Sequence, residues 1–149
     1  CAAIGADVIV GFPGETDEHF AETCRFVEAS PLTYLHVFSY SDRPGTAAST
    51  MADKIHPDVI HERSRRLRHV GESLSARFTE RVTGTEQRAL ILREPAQHDH
   101  LVAITGNYVE AAVLDGDDGL VNSFVRGVLS RDPHNGGWLL TDPVPEAQS

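Results

Sequence analysis

The stretch Asp7–Thr16, which reads DVIVGFPGET, decides the fold of the first half of this chain. Its start belongs to an apolar run, Ile4–Val10, that is typical of a strand covered on both faces. Glycine and proline then end the strand, and Thr16 has the side chain that an N-cap of a following helix needs. Three apolar residues at helical spacing follow, so the stretch predicts a strand, a tight turn and a helix in succession.

A second apolar run, Leu32–Tyr40, comes after this helix and is rich in β-branched and aromatic residues. The first 40 residues therefore predict a βαβ unit with two parallel strands. Two parallel strands need neighbouring strands and covering helices, and the sequence after Tyr40 does not offer them. Since the chain also begins with Cys1 and lacks a targeting signal, we expect it to be a fragment of a longer protein.

A second helix is predicted from Pro57 onward, with an apolar stripe at helical spacing. The stripe consists of Leu67, Val70, Leu74 and Phe78. Its other face carries a basic cluster, Arg63–His69, which is either a solvated helix face or a contact surface for phosphates. The residues alone leave both interpretations open.

From Gly84 onward the sequence changes to short β-like runs separated by turn signals, and five such runs predict a small closed barrel. The runs are Gln87–Arg93, Leu101–Thr105, Tyr108–Leu114, Leu120–Leu129 and Trp138–Thr141. The expected organisation is thus an α/β part at 1–83, a small antiparallel β-barrel at 84–142 and a flexible tail at 143–149.

Composition limits the possible functions. The 149 residues include 13 basic and 22 acidic ones, a net charge of −9, so nucleic-acid binding must be local. Every apolar run is far too short to span a membrane. Two cysteines cannot form a disulfide framework or a four-thiolate metal site, which suits a reducing cytosol. His98–His100 and Asp115–Gly119 are predicted to be turns rather than metal sites.

The barrel region is acidic, because residues 85–149 contain four arginines against ten acidic residues. Such a balance repels RNA on average. The arginines could still form a local phosphate site beside Tyr108 or Phe124, although we expect Phe124 to lie in the core. The four arginines are Arg88, Arg93, Arg126 and Arg131.

Two motifs resemble the radical S-adenosylmethionine methylthiotransferases: Asp7–Thr16 and His36–Ala48, which reads HVFSYSDRPGTAA. The resemblance implies that residues 1–83 are the C-terminal portion of the family's open (β/α) barrel. It also implies that residues 84–142 are its TRAM domain, a small β-barrel associated with RNA binding. The second motif is most similar to the branch that methylthiolates N6-threonylcarbamoyladenosine in tRNA. Branches acting on isopentenyladenosine or on a ribosomal-protein aspartate, and a stand-alone RNA-binding module, are the alternatives.

The family uses S-adenosylmethionine and two 4Fe-4S clusters, one of which is held by a Cys-x-x-x-Cys-x-x-Cys motif. That motif is missing from this chain, and Cys24 is expected to be a buried hydrophobic residue. The resemblance therefore implies that the cluster ligands lie in a missing N-terminal part. It further implies a cytoplasmic enzyme acting on a tRNA anticodon stem-loop, and a fragment with no catalytic or metal-binding residue that is inactive alone.

In the family, a strand of the type Gly-x-Ile-x-Gly-x-Pro-x-x-Thr lies against the adenine of the cofactor. The resemblance assigns cofactor binding here to Ile9, Gly11 and Pro13, while Asp7 replaces the first glycine. Ile9 would supply an apolar contact, and Gly11 would let the backbone approach the ligand closely.

The next strand and its loop complete the expected site. Val37 or Phe38 would finish the apolar wall, and the one that points away from the ligand would pack in the core. Arg43 follows the carboxyl end of the strand, where it could bind a substrate carboxylate or phosphate, or else bond to loop carbonyls. The basic residues expected to contact tRNA are Arg65, Arg66 and Arg68.

Overall fold

A computed structural model describes residues 2–92, 100–114 and 116–146 of the chain. The chain divides into one compact unit, Ala3–Phe78, and a second that contains the residues from Thr79 onward. The division falls within the second helix, whereas the sequence predicted it after residue 83. Among the helices of the described residues, none has both the length and the apolar content that crossing a membrane requires.

The first unit begins with the predicted βαβ arrangement. Strand β1 (Gly5–Val10) and strand β2 (Tyr34–Ser39) pair in parallel, and helix α1 (Asp17–Ala29) connects them. The Thr16 hydroxyl accepts a hydrogen bond from the His19 N–H at 3.2 Å, so the predicted N-cap is confirmed. Helix α2 (Pro57–Val82) follows a loop that contains the short 3-10 helix Ala47–Thr50.

The helices cover one face of the β1–β2 sheet. Alternate strand residues pack with buried side chains from both helices in a core of Val10, Phe20, Cys24 and Leu67, with Val8, Leu35, Val37 and Val70 around it. The opposite sheet face, which includes Asp7, Ile9, His36 and Phe38, is exposed within the described residues. The expectation that the first strand is covered on both faces is therefore wrong for this structure, because both helices pack on the same side.

The second unit is a closed five-stranded barrel, as predicted, with the order β3-β4-β5-β7-β6. Its strands are β3 (Glu86–Leu92), β4 (Leu101–Thr105), β5 (Glu110–Val113), β6 (Phe124–Arg131) and β7 (Trp138–Pro145). All strand pairs are antiparallel except β5 with β7.

Strands β6 and β7 differ most from their predicted bounds. Strand β6 starts later than expected, because Asp118–Leu120 forms a 3-10 turn. Strand β7 continues to Pro145, since its last residues pair with the start of β6, so 143–145 are strand rather than flexible tail. Residues 147–149 of that tail, together with Arg93, His98, Asp99 and Asp115, lie outside the described residues.

The barrel interior follows the two-residue period of its strands. In β6, Val125 and Leu129 have no exposed surface, whereas Phe124 and Arg126, the residues on either side of Val125, point outward. The expected core role of Phe124 is therefore wrong. Its position in the alternation places its ring on the outer surface.

Candidate functional site

A cavity of about 560 Å³ lies on the exposed face of the β1–β2 sheet, at the carboxyl ends of the strands. This volume is within the roughly 300–1,000 Å³ range of small-molecule sites. The cavity brings together three of the predicted site residues, Ile9, Phe38 and Arg43. Its full lining is Asp7, Ile9, Phe12, Phe38, Ser39, Tyr40, Ser41, Arg43, Thr46 and Ala48.

Ile9 and Phe38 form an apolar wall of this cavity. They are direct partners in the parallel register of β1 and β2, so their side chains lie next to each other on one face. Their exposed fractions are 58% and 51%, which leaves their apolar surface available to a ligand. An aliphatic side chain beside an aromatic ring is suited to contact a flat heterocycle.

Val37 lies on the opposite face of the same strand. It pairs in register with Val8, and both pack against the buried core of the unit. The structure thus places Phe38 on the cavity wall and Val37 in the core. Val37 is not among the residues that line the cavity.

Gly11 packs closely against helix α2. Its φ of +84° favours glycine, and a Cβ atom at this position would lie 2.4 Å from Cγ1 of Ile60 on α2. Its N–H donates a hydrogen bond to Glu15 Oε2 at 2.9 Å. Gly11 and Pro13 are both buried and neither lines the cavity, so the structure separates them from Ile9.

Arg63 is buried, which corrects its expected place in a solvated or phosphate-binding cluster. Its Nη1 donates to Glu15 Oε2 at 2.7 Å and its Nη2 donates to Asp17 Oδ1 at 2.6 Å. Burial alone lowers the pKa of Arg63, but the hydrogen bonds to these carboxylates outweigh it, so the pKa is raised. Arg63 therefore fixes the turn that leads from β1 into α1.

That turn carries Phe12 to the cavity, where its ring packs edge-on against Tyr40 with 5.5 Å between centroids. The Tyr40 hydroxyl donates to Asp42 Oδ1 at 2.7 Å, and Lys54 Nζ donates to the same oxygen at 2.5 Å. The hydrogen bond to Asp42 raises the pKa of Tyr40, and that from Lys54 lowers the pKa of Asp42. Sequence reasoning missed these residues, although an aromatic residue in the Gly-Phe-Pro-Gly turn was a usable signal.

Arg43 lies at the cavity edge in the loop after β2. Its carbonyl accepts a hydrogen bond from the Thr46 hydroxyl at 2.9 Å, which shapes the loop. Within the described residues, no acidic side chain pairs with its guanidinium, which is exposed. A positive group at the rim of an apolar cavity can bind a carboxylate or phosphate.

The other predicted phosphate-binding arginines lie apart from the cavity, on α2. Arg65 forms an exposed ion pair with Glu62 at 2.7 Å, whereas Arg66 lies over the Phe20 ring at 5.7 Å. Arg68 is exposed. These three arginines therefore have different neighbours in the structure.

The described residues contain no group of three or more His, Cys, Asp or Glu side chains that could hold a metal ion. Cys24 lies in the core, as expected, and burial raises its pKa. A buried neutral thiol is a poor ligand for iron.

The arginines on the outer barrel surface are paired with acidic residues. Arg88 and Arg126 both bond to Glu146, and Arg126 also reaches Glu86 at 3.1 Å. The Arg88 guanidinium lies 3.8 Å from the centroid of the exposed Phe124 ring. Arg131 pairs with Glu80 at 2.9 Å and lies over the Trp138 ring.

Curated proteins similar to this chain carry consistent names. The threonylcarbamoyladenosine tRNA methylthiotransferase of Aquifex aeolicus is 39% identical over 109 residues, which are 73% of this chain and 25% of that protein. Its counterpart in Bacillus subtilis is 32% identical over 143 residues, with 93% and 32% covered. The tRNA-2-methylthio-N(6)-dimethylallyladenosine synthase of Corynebacterium diphtheriae is 42% identical over 149 residues, with 99% and 27% covered.

The chain spans about a quarter to a third of the length of these relatives. No protein-family model matches it.

Proposed function

This chain belongs to the methylthiotransferase family, and we propose that it is the C-terminal part of a tRNA methylthiotransferase of the radical S-adenosylmethionine type. The complete enzyme would add a methylthio group to C2 of N6-threonylcarbamoyladenosine next to the anticodon. The observation that carries this proposal is the cavity in which Ile9, Phe38 and Arg43 meet. It lies at the carboxyl ends of parallel strands, where α/β folds bind their ligands.

The cavity fits the adenosine part of S-adenosylmethionine. Ile9 and Phe38 offer adjacent apolar surfaces for the adenine ring, and the volume of about 560 Å³ is sufficient for a nucleoside. When bound, this cofactor supplies the radical chemistry of the family. The described residues do not fit a 4Fe-4S cluster, so both clusters would be held by an N-terminal part of the longer protein.

Arg43 is the proposed contact for the substrate. Threonylcarbamoyladenosine carries a carboxylate, which matches the forked guanidinium at the rim of the cavity. The dimethylallyl group named in other relatives has no carboxylate, and those relatives reach 42–44% identity, so that substrate is the second candidate. Arg65, Arg66 and Arg68 on α2 are proposed to contact tRNA phosphates.

Cofactor affinity in the complete enzyme tests the proposed cavity. Ile9→Ser removes most of one apolar wall and so loses about 1–1.5 kcal/mol of favourable apolar burial on binding. We therefore expect the affinity for S-adenosylmethionine, measured by equilibrium dialysis, to fall about five- to tenfold. Ile4→Ser is the matched control, because Ile4 is also exposed but does not line the cavity. Equal affinities for the two variants would contradict the proposal.

The substrate assignment has its own test. Arg43→Gln should raise KM for tRNA that carries threonylcarbamoyladenosine by about tenfold or more, since a charged hydrogen bond to the carboxylate is worth roughly 1.5–3 kcal/mol. Arg43→Lys, which keeps the charge, should lose less. If the complete enzyme instead modifies isopentenyladenosine tRNA and Arg43→Gln leaves its KM unchanged, the second candidate is correct.

A further inference from the structure

We propose that Glu146 occupies an anion site on the outer face of the barrel, formed by Arg88 and Arg126, which binds a phosphate of single-stranded RNA when Glu146 leaves it. This inference rests on the proposed function, because it assumes that the chain acts on RNA. It concerns a surface of the second unit and none of the cavity residues.

The geometry of the site is that of a two-pronged anion receptor. Arg88 on β3 and Arg126 on β6 are direct partners in the antiparallel register, so their side chains leave the same face side by side. Arg88 Nε donates to Glu146 Oε2 at 2.7 Å, and Arg126 Nε donates to Glu146 Oε1 at 2.9 Å. Each carboxylate oxygen thus accepts a hydrogen bond from a different guanidinium, and two oxygens of a phosphate can accept the same pair of hydrogen bonds.

The Glu146 carboxylate lies in this site in its ionised form. The hydrogen bond from Arg88, together with that from Arg126, holds the pKa of Glu146 below its ordinary value. Its side chain is 23% exposed, whereas those of Arg88 and Arg126 are more than half exposed. An incoming anion can therefore reach both arginines, and the group that it must replace at their Nε atoms is Glu146, while Arg126 Nη1 stays paired with Glu86.

An aromatic ring adjoins the anion site. Phe124 is exposed on β6, and the Arg88 guanidinium stacks on it at 3.8 Å from the ring centroid. Paired cations beside an exposed ring are the combination that binds unpaired nucleotides, with phosphates on the cations and bases stacked on the ring. This arrangement favours single-stranded RNA over an acidic protein segment, because RNA has bases that can stack on the ring.

Exchange of the carboxylate for a phosphate is feasible at low cost. Ion pairs near the protein surface contribute little to stability, so a competing anion can replace one of them. The backbone N–H of Glu146 donates to the Phe124 carbonyl at 2.9 Å, which anchors the chain next to the site. Rotation of the Glu146 side chain would release the Nε groups of Arg88 and Arg126, while Arg126 Nη1 keeps its bond to Glu86 and the strand pairing is preserved.

The exchange would give an acidic barrel a local site for RNA. Residues 85–149 have ten acidic residues and four arginines, and among the described residues Glu146 bonds to two of these arginines at once. With Glu146 in place the surface offers little free positive charge. Without it, the Nε groups of two adjacent arginines become available to a phosphate, with Glu86 still bonded to Arg126 Nη1.

The test compares Glu146→Gln with Glu110→Gln in the full chain, using filter binding to an oligouridylate. Both substitutions remove one negative charge from the barrel, but Glu110 is an exposed β5 residue outside the arginine pair. We expect Glu146→Gln to bind about fivefold more tightly than Glu110→Gln. The slope of log affinity against log salt concentration should also steepen by about 0.7 to 1.4, since one or two more arginine side chains bind phosphates of the single-stranded RNA.

Two further arms complete the experiment. Replacing Arg88 and Arg126 by Gln in the Glu146→Gln background should abolish the gain, and the fluorescence of Trp138 checks that each barrel stays folded. Equal gains for the Glu146 and Glu110 variants, a gain that survives loss of the arginines, or no measurable binding by Glu146→Gln would overturn the inference. These outcomes leave the proposed function intact, because that is judged by cofactor affinity at Ile9, which Glu146→Gln should not change.

Discussion

The buried ion pair between Arg63 and Glu15 predicts very different effects for two similar arginine substitutions. The Arg63 and Glu15 side chains are 7% and 14% exposed, whereas Arg65 and its partner Glu62 are more than half exposed. Breaking a buried pair from one side costs about 3–5 kcal/mol, and breaking an exposed pair costs at most about 1 kcal/mol. We therefore expect Arg63→Met to lower the free energy of unfolding by about 3 kcal/mol, with Arg65→Met as the control.

Urea denaturation followed by circular dichroism at 222 nm measures this difference. For a slope of about 1.5 kcal/mol per molar urea, 3 kcal/mol moves the midpoint of Arg63→Met by about 2 M. Adding Glu15→Gln to Arg63→Met should restore part of the loss, because a neutral amide leaves no unpaired charge in the interior. Equal midpoint shifts for Arg63→Met and Arg65→Met, or no recovery in the double variant, would show that Arg63 and Glu15 do not behave as a buried charge pair.

Four more substitutions test other features of the first unit. Gly11→Ala should destabilise the first unit by about 3 kcal/mol, because it combines left-handed backbone strain with a collision with α2. Gly14 also has a positive φ of +83° but has open space around it, so Gly14→Ala should cost only about 1 kcal/mol in the same denaturation assay. Asp42→Asn should lower the pKa of Tyr40, because the bond to the carboxylate raises it, and absorbance titration of the phenol would show no change if that bond were absent. Thr16→Ala should cost about 1 kcal/mol through loss of the N-cap, and an unchanged melting temperature would speak against the cap.

Local chemistry made much of the fold predictable. A strand, a Gly-Pro turn and a threonine cap follow one another within Asp7–Thr16, and each is set by a few neighbouring residues. Short alternating runs separated by turn residues likewise predicted the five strands of the closed barrel. These signals act within a few residues, so one sequence is enough to detect them.

Long-range packing accounts for what the sequence did not reveal. A period of two places Val37 and Phe38 on opposite faces, but only the position of the helices decides which face is the core. Gly11 meets Ile60, and Arg63 meets Glu15, through contacts with a helix far along the chain. Residue type alone gave the reverse expectation for Arg63, because an arginine in a basic run is usually solvated.

We propose above that Ile9 and Phe38 form the adenine wall of a cofactor cavity. The most direct test is a structure of the complete polypeptide that carries this sequence, with S-adenosylmethionine bound. We expect the adenine ring to lie within about 4 Å of both side chains, with Gly11 still packed on α2. An adenine ring bound elsewhere, with Ile9 and Phe38 touching no part of the cofactor, would contradict it.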